Sequence, residues 1–391
     1  MENSPILPDR FTRREFGFMY FGKNMMQRHI SFPNGNEMWR FVASNVPAHC
    51  YYSTAYYRHP DAPTMEEKEW LGAELIFDLD ADHLEGSEKM TYPEMLREIR
   101  TEMIKLCDSY IFGDLGFDYD DVHITFSGGR GYHAHVMMKD VLTLGSPERR
   151  EIVDYIMGSG LDMDWVFPFR RVAISTFDTG AGKRANIAKD REIPSENSGG
   201  WRKRMRNALK TVVDDFSEMD SKILRQAYPS LKTSQYKTIE NVQEDVRKSR
   251  KRMFTDNNMA TMSRTSQEML IRVMDRDIRP RISGDVDAPV TADIKRLIRL
   301  PHSVHGKGGL KVIPLTRDEL TDFEPLQMAV PDEYSDEAVE ITLKAPVDLE
   351  IKDERFVLEG ETEVPEYAAV FLIGRGYASL GHKSEMKDRL F

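Results

Sequence analysis

The stretch ELIFDLDAD, Glu74 to Asp82, constrains the fold of this chain more than any other. In an extended strand successive side chains point to opposite faces, so Leu75, Phe77 and Leu79 share one face while Asp78 and Asp80 share the other. One face packs and the other collects charge. Two carboxylates that close repel unless they are protonated or bridged. A pair of divalent cations, as used in phosphoryl transfer, would bridge them. The bland alternative is an exposed strand end turning into a loop, since short D-x-D matches are common.

The rest of the chain has to supply the context. Its 391 residues, 40% hydrophobic, suffice for a sizeable core or two subdomains. Charged residues make up 30% and are spread along the chain, no apolar run approaches the ~18 residues of a membrane span, and MENSPILPDR has no signal-like apolar block. A soluble, cytoplasmic protein without a membrane partner is expected. Cys50 and Cys107 are too few for a disulfide framework and read as reduced thiols. The formal charge of −11 argues against a polycation that coats nucleic acid by bulk attraction. One local patch, WRKRMRNALK at Trp201 to Lys210, follows the loop-like SENSGG. It reads either as a phosphate-tracking surface or as a solvated helix face with neighbouring counter-charge.

By texture the chain falls into three parts, and the expected class is α/β (α+β). Residues 1–143 alternate β-branched and aromatic runs with helical segments, including YPEMLREIRTEMIKLCDSYIF ahead of the strand-like VHITF. Residues 144–275 look like a mainly helical insertion in which strands largely disappear, with SKILRQAYPSLK and NVQEDVRKSRKRMF at helical spacing. Residues 276–391 return to β character in LKVIPL, AVEITL and RFVLEG, and close on a helix over Pro365 to Arg375.

Two further clusters give the aspartates company. In VHITFSGGRGYHAHVMM, Val122, Ile124 and Phe126 alternate as a strand, SGGRG turns, and a second strand carries His133 and His135 on one side. A plain tight turn would not need the Ser127 hydroxyl, Arg130 and His133, the last two of which can place positive charge on phosphate oxygens. His123 and His135 read as structural or surface residues. In RLPHSVHGKGGLK, a Thr291-capped helix over Ala292 to Leu300 is expected to lead into an extended segment with Ser303 and His305 on one face, then Gly306, Lys307 and two more glycines. No nucleotide-binding P-loop pattern occurs. Upstream, Asp285 and Asp287 alternate around Val286, and strand geometry alone cannot choose between them. Carboxylates for metals, two donor sets for a triphosphate and no evident covalent nucleophile describe metal-assisted nucleotidyl transfer.

In this order, FDLDAD, SGGRGYHAHV and RLIRLPHSVHGKGGL closely resemble the small, catalytic subunit of archaeal and eukaryotic DNA primase, in its archaeal form. REFGF, RHISF and FEP match further stretches of that family. The resemblance implies a primase-type mixed-sheet core with an inserted helical subdomain. It assigns Asp78, Asp80 and Asp287 to two Mg²⁺ or Mn²⁺ ions. It assigns Ser127, Arg130 and His133, then Arg299, Ser303, His305 and Lys307, to the triphosphate, and places Glu15 and Arg28 near the incoming nucleotide. Two departures stand out: many relatives carry an arginine where this chain has Gly129, and of their cysteine-rich zinc knuckle only Cys107 is present. Cys107, His83 and His123 do not complete four ligands, so no zinc is expected. The implied activity is synthesis of short RNA primers, with DNA primers also open, from nucleoside triphosphates on a single-stranded DNA template, beside a large subunit that carries an iron–sulfur cluster. The rival readings are a self-sufficient primase-polymerase or repair polymerase of the same superfamily, and an inactive nucleic-acid-binding scaffold. Retention of three carboxylates opposes the last, because clustered acids without metals repel a polyanion.

Overall fold

The computed structural model describes residues 7–84, 86–180 and 182–381; MENSPI, part of the segment read above as lacking a signal-like block, lies outside them. The chain forms two compact units, one from the segments before Asp154 and after Gly284, the other from Asp154–Gly284. Every described strand pair is antiparallel, which makes the helix-and-sheet class α+β.

The first unit is built on two four-stranded sheets. One runs in the order Leu297–Arg299, His49–Ser53, Phe16–Met19, Gln27–Ile30. The other runs Ile313–Leu315, Val122–Phe126, Gly131–Val136, Leu75–Asp80. In the second sheet Leu75, Phe77 and Leu79 are buried as the alternation requires. Their side of the sheet is covered by the helix Tyr92–Leu106, whose Leu96, Ile99 and Met103 recur at three- and four-residue spacing and are also buried. Burial of each such side chain contributes about 1.5–3 kcal/mol. A capping box between Thr91 and Glu94 starts this helix, and Pro93 occupies the first turn, where its missing N–H costs nothing.

The opposite face of the strand divides in two. Ile76 is buried in a cluster with Phe16, Phe18, Cys50, Tyr52, Ile298 and Leu300 of the first sheet, whereas Asp78 and Asp80 stay partly exposed. The sheets therefore close over Ile76 and leave the aspartate end open. Cys50 and Cys107 are free and buried, and burial pushes both thiols up to about 12, so neither is a ready thiolate.

Two expectations need correcting here. Leu297–Arg299 is not the end of a Thr291-capped helix but a strand, pairing Leu297 with Ser53, Ile298 with Tyr52 and Arg299 with Tyr51. The helix that does form, Ala288–Ala292, starts earlier, with Asp287 as its cap accepting from Val290 N at 3.2 Å and Pro289 in its first turn. Pairing with a strand some 245 residues away overrode local helical spacing. The middle of the chain also contains a long hairpin, Phe169–Asp178 with Lys183–Arg191. Its second strand, KRANIAKDR, is basic and polar, but the first, FRRVAISTFD, carries Val172, Ile174 and Phe177 and is legible as a strand.

In the second unit the helices Gly200–Glu218 and Tyr236–Thr255 pack on each other, and Gln243 Nε2 donates to the terminal carbonyls of Phe216 and Met219 at 3.1 and 2.7 Å. The basic patch belongs to the first of these helices and is largely neutralised within the protein. Arg202 meets Glu192 at 3.2 Å, Lys210 meets Glu196 at 3.3 Å, and Arg206 is buried against Pro194 O and Asn257. Of its two readings, the counter-charged helix face is the one these contacts carry. The C-terminal helix is Glu366–Gly374, as expected. Among the described residues no helix is long and apolar enough to cross a membrane.

Candidate active site

Strand register sets the carboxylates against the histidine strand: Asp78 lies opposite His133 and Asp80 opposite Gly131. His133 Nε2 is 3.4 Å from Asp78 Oδ1. Burial first, then the charges of Asp80 and Asp287, push Asp78 up to about 7. Asp287 belongs to the same group, since its N–H donates to Asp78 O at 2.9 Å. One of its carboxylate oxygens caps the short helix, which leaves the other for further contacts. Asp285 sits elsewhere, half-buried and influenced by His83 and Lys105.

The glycine-rich turn closes over the end of the same sheet. Gly131 N and Gly129 N both donate to Ser127 Oγ at 3.3 Å, so this hydroxyl organises the turn and keeps its own proton to donate. Gly131 is obligatory: a Cβ there would lie 2.2 Å from Leu79 O. Arg130 pairs with Asp82 and stands 4.0 Å from Asp80 Oδ1. His133 differs from expectation. Burial, reinforced by His135, Arg299 and Arg296, holds its pKa well below the ordinary value, so it is neutral and offers an N–H rather than a charge.

The third cluster faces this turn across a cleft of about 310 Å³. Asp78, Asp80, Ser127, Arg130, His133, Arg299, His305 and Lys307 all line it. Arg299 lies 4.5 Å over the Tyr51 ring, donates to His305 Nε2 at 2.9 Å, and has a buried Nη1 that meets no acceptor among the described residues. His305 Nδ1 faces Lys307 N at 3.2 Å. A neutral imidazole accepts at only one nitrogen, so His305 cannot satisfy both neighbours. Burial and the surrounding cations hold it down at about 2, which keeps it neutral. The glycines here serve packing rather than anion contact. A Cβ at Gly306 would lie 2.4 Å from Ala48 O, and one at Gly309, where φ is +67°, 2.6 Å from Val370 Cγ1.

A model of the DNA primase small subunit family matches residues 77–317, which span all three clusters. The DNA primase small subunit PriS of Methanocella arvoryzae is 41% identical over 382 residues, covering 95% of this chain and 94% of its own length. The PriS proteins of Methanothrix thermoacetophila and Natronomonas pharaonis are 39% and 36% identical, each over at least 95% of this chain and 93% of their own. The chain belongs to the DNA primase small subunit family. It is a primase catalytic subunit, a nucleotidyltransferase of primer synthesis, and of archaeal type.

Not every residue expected of a primase site reaches the cleft. Ser303 is buried and donates its hydroxyl to Leu300 O at 2.7 Å, closing the turn before the loop. Glu15 is fully buried in a separate ionic cluster, with Arg28 Nε at 3.1 Å and Lys68 Nζ at 2.6 Å. Burial alone would raise Glu15, but hydrogen bonds from Arg28 and Lys68 hold it below the usual carboxylate range. The same holds for both: each group spends its polar atoms on partners nearer in the fold. The primase cleft instead gains Tyr51, Arg296 and Arg375, with His49 behind it accepting from Gly306 N at 3.2 Å. Arg296 could have been suspected from its nearness to Arg299. Nothing local in the sequence marks the other three.

Proposed function

We propose that the chain makes short RNA primers on single-stranded DNA by placing a nucleoside triphosphate between the glycine-rich turn and the Arg299–Lys307 segment. The observation that carries this reading is the cleft's charge pattern: Asp78 and Asp80 line it together with Arg296, Arg299 and Lys307, which among the described residues form no salt bridge. Asp78 and Asp80 share one strand face and Asp287 lies beside Asp78, and carboxylate oxygens are the donors that Mg²⁺ or Mn²⁺ takes. Among the described residues no three His, Cys, Asp or Glu side chains converge on one point. That suits Mg²⁺, which is commonly held by one or two carboxylates together with substrate phosphates. Desolvation first and repulsion by Asp80 and Asp287 second raise Asp78, and the repulsion is what a divalent cation relieves. When bound, such ions would lower the pKa of the attacking 3′-hydroxyl and offset the charge of the departing pyrophosphate.

Arg299 and Lys307 bind and orient the polyphosphate, neutral His133 can add an N–H donor, and His305 acts by holding the Arg299 guanidinium and the Lys307 backbone in place. Ser127 donates its free hydroxyl proton. Ser303 holds the turn that presents His305, and Glu15 with Arg28 fixes the edge of the first sheet. A large subunit would help to start chains. A self-sufficient primase-polymerase would need no such partner.

Primer synthesis on an unprimed single-stranded template, with and without a large subunit, tests the reading. Initiation should depend on the large subunit, and Asp78→Asn should lose metal-dependent synthesis while melting no lower than the parent, because it removes a repulsive charge. Undiminished synthesis by Asp78→Asn would remove the metal-site reading.

A further inference from the structure

The last helix ends in a residue that neither the motifs nor the resemblance assigned. Arg375 is the C-terminal cap of Glu366–Gly374, and its side chain leaves the helix to line the cleft with Asp78, Arg130 and Lys307. Its guanidinium carbon lies 4.4 Å over the ring of Tyr92, whose hydroxyl donates to Gly129 O at 2.5 Å. Its stem runs against the loop opposite, for a Cβ on Gly308 would meet Arg375 Cδ at 3.5 Å. The side chain thus stands between the glycine-rich turn and the His305–Gly308 loop. Its Nε is buried without an acceptor, and among the described residues the guanidinium has no carboxylate partner.

A basic residue at a helix C-terminus has an ordinary explanation, since it complements the helix dipole. That explanation does not account for a guanidinium aimed away from the helix, stacked on a ring and left with an unsatisfied buried donor, which is costly. An anion with several oxygens would satisfy it, and the planar fork of arginine matches phosphate geometry.

We propose that Arg375 is a binding residue for the polyphosphate of the incoming nucleoside triphosphate, joining Arg299 and Lys307 in one cationic wall drawn from distant parts of the chain. This assignment rests on the nucleotide-binding reading of the cleft. Tyr92 is the positioning residue for the guanidinium, holding its plane through the ring.

The test uses the full chain with Arg375→Met, which keeps the stem, and Arg375→Lys, which keeps the charge. Steady-state primer extension would give kcat and KM, and direct titration would compare ATP with AMP. Arg375→Met should raise KM for nucleoside triphosphate and weaken ATP binding by about 10- to 100-fold, the usual worth of one charge-assisted hydrogen bond. It should leave AMP binding within about threefold, and Arg375→Lys should recover part of the loss. ATP affinity unchanged in Arg375→Met, or equal losses for ATP and AMP with a lowered melting temperature, would mark Arg375 as a helix stop and overturn the assignment. If the unaltered chain itself binds AMP and ATP equally, the triphosphate reading of the cleft fails first and the role of Arg375 with it.

Discussion

Two carboxylates four residues apart show how strongly neighbours set chemistry here. Glu74 is buried beside Arg14, His135 and Tyr56. Burial alone would raise it, but Arg14 foremost and then His135 hold it down at about 2. Asp78, half-buried, rises to about 7 through desolvation first and then the charges of Asp80 and Asp287. Glu74 is structural, and its sign is definite. A carboxyl with a folded pKa below its unfolded value of 4.5 adds stability above that value, and the contribution is lost as pH falls toward about 2. Glu74→Gln should therefore flatten the acid limb of the stability profile between pH 5 and 2, read from denaturant midpoints. At pH 7 it should cost about 3–5 kcal/mol, because Arg14 is left buried and unpaired. Parallel acid limbs in the two proteins would refute this. The third carboxylate can be tested in the same way. Asp287 touches Asp78 through the backbone, while Asp285 feels the charges of His83 and Lys105. Asp287→Ala should abolish nucleotidyl transfer and lose a helix cap worth about 0.5–2 kcal/mol, whereas Asp285→Ala should keep substantial activity. The reverse order of activities, at matched thermal stability, would move the third acidic role to Asp285.

At the scale of elements, the loop after His305 is held by backbone docking. Gly306 lets it lie against Ala48 O, and Gly309 lets the last helix press on it through Val370. Gly374 does the same from the helix side, 3.2 Å from Gly308 N by its would-be Cβ. Gly306→Ala should lower the melting temperature and weaken triphosphate binding together, since the displaced backbone carries both His305 and Lys307. At Gly308, whose φ is ordinary, a Cβ would meet Arg375 Cδ at 3.5 Å and Gly128 O at 4.0 Å, both ordinary contacts, so Gly308→Ala should melt within about 2 °C of the parent, an effect of under ~1 kcal/mol. Equal damage from both changes, followed by differential scanning, would show that general loop crowding rather than docking is at work. The serine of this element was legible as part of a motif but not in its role, because the acceptor it found, Leu300 O, depends on the turn that Ser303 itself closes.

At the scale of the molecule, a chain of formal charge −11 presents a locally cationic cleft. Attraction for template must then come from local phosphate contacts rather than from overall charge. Single-stranded DNA affinity should fall steeply with salt, its logarithm declining with log[salt] at a slope near −0.7 per phosphate engaged. Fluorescence anisotropy across 50–300 mM salt measures this, and a flat response would exclude backbone contacts as the source of binding.

The sequence by itself determined whatever depends on local period. Strand alternation put Asp78 with Asp80 and His133 with His135, helical spacing placed Tyr92–Leu106 and Glu366–Gly374, and the ordered motifs identified the family. Only the tertiary structure decided which polar atoms were already spent. Ser303, Glu15 and Arg28 look available in the chain and are occupied in the fold, while Arg375 looks incidental and ends in the cleft. It also decided that Leu297–Arg299 pairs as a strand, bringing Arg299 to Tyr51. The physical reason is one of range. Backbone period is a property of neighbours along the chain, but desolvation, ion pairing and strand partnership depend on residues hundreds of positions away, and these fix the chemistry of each group.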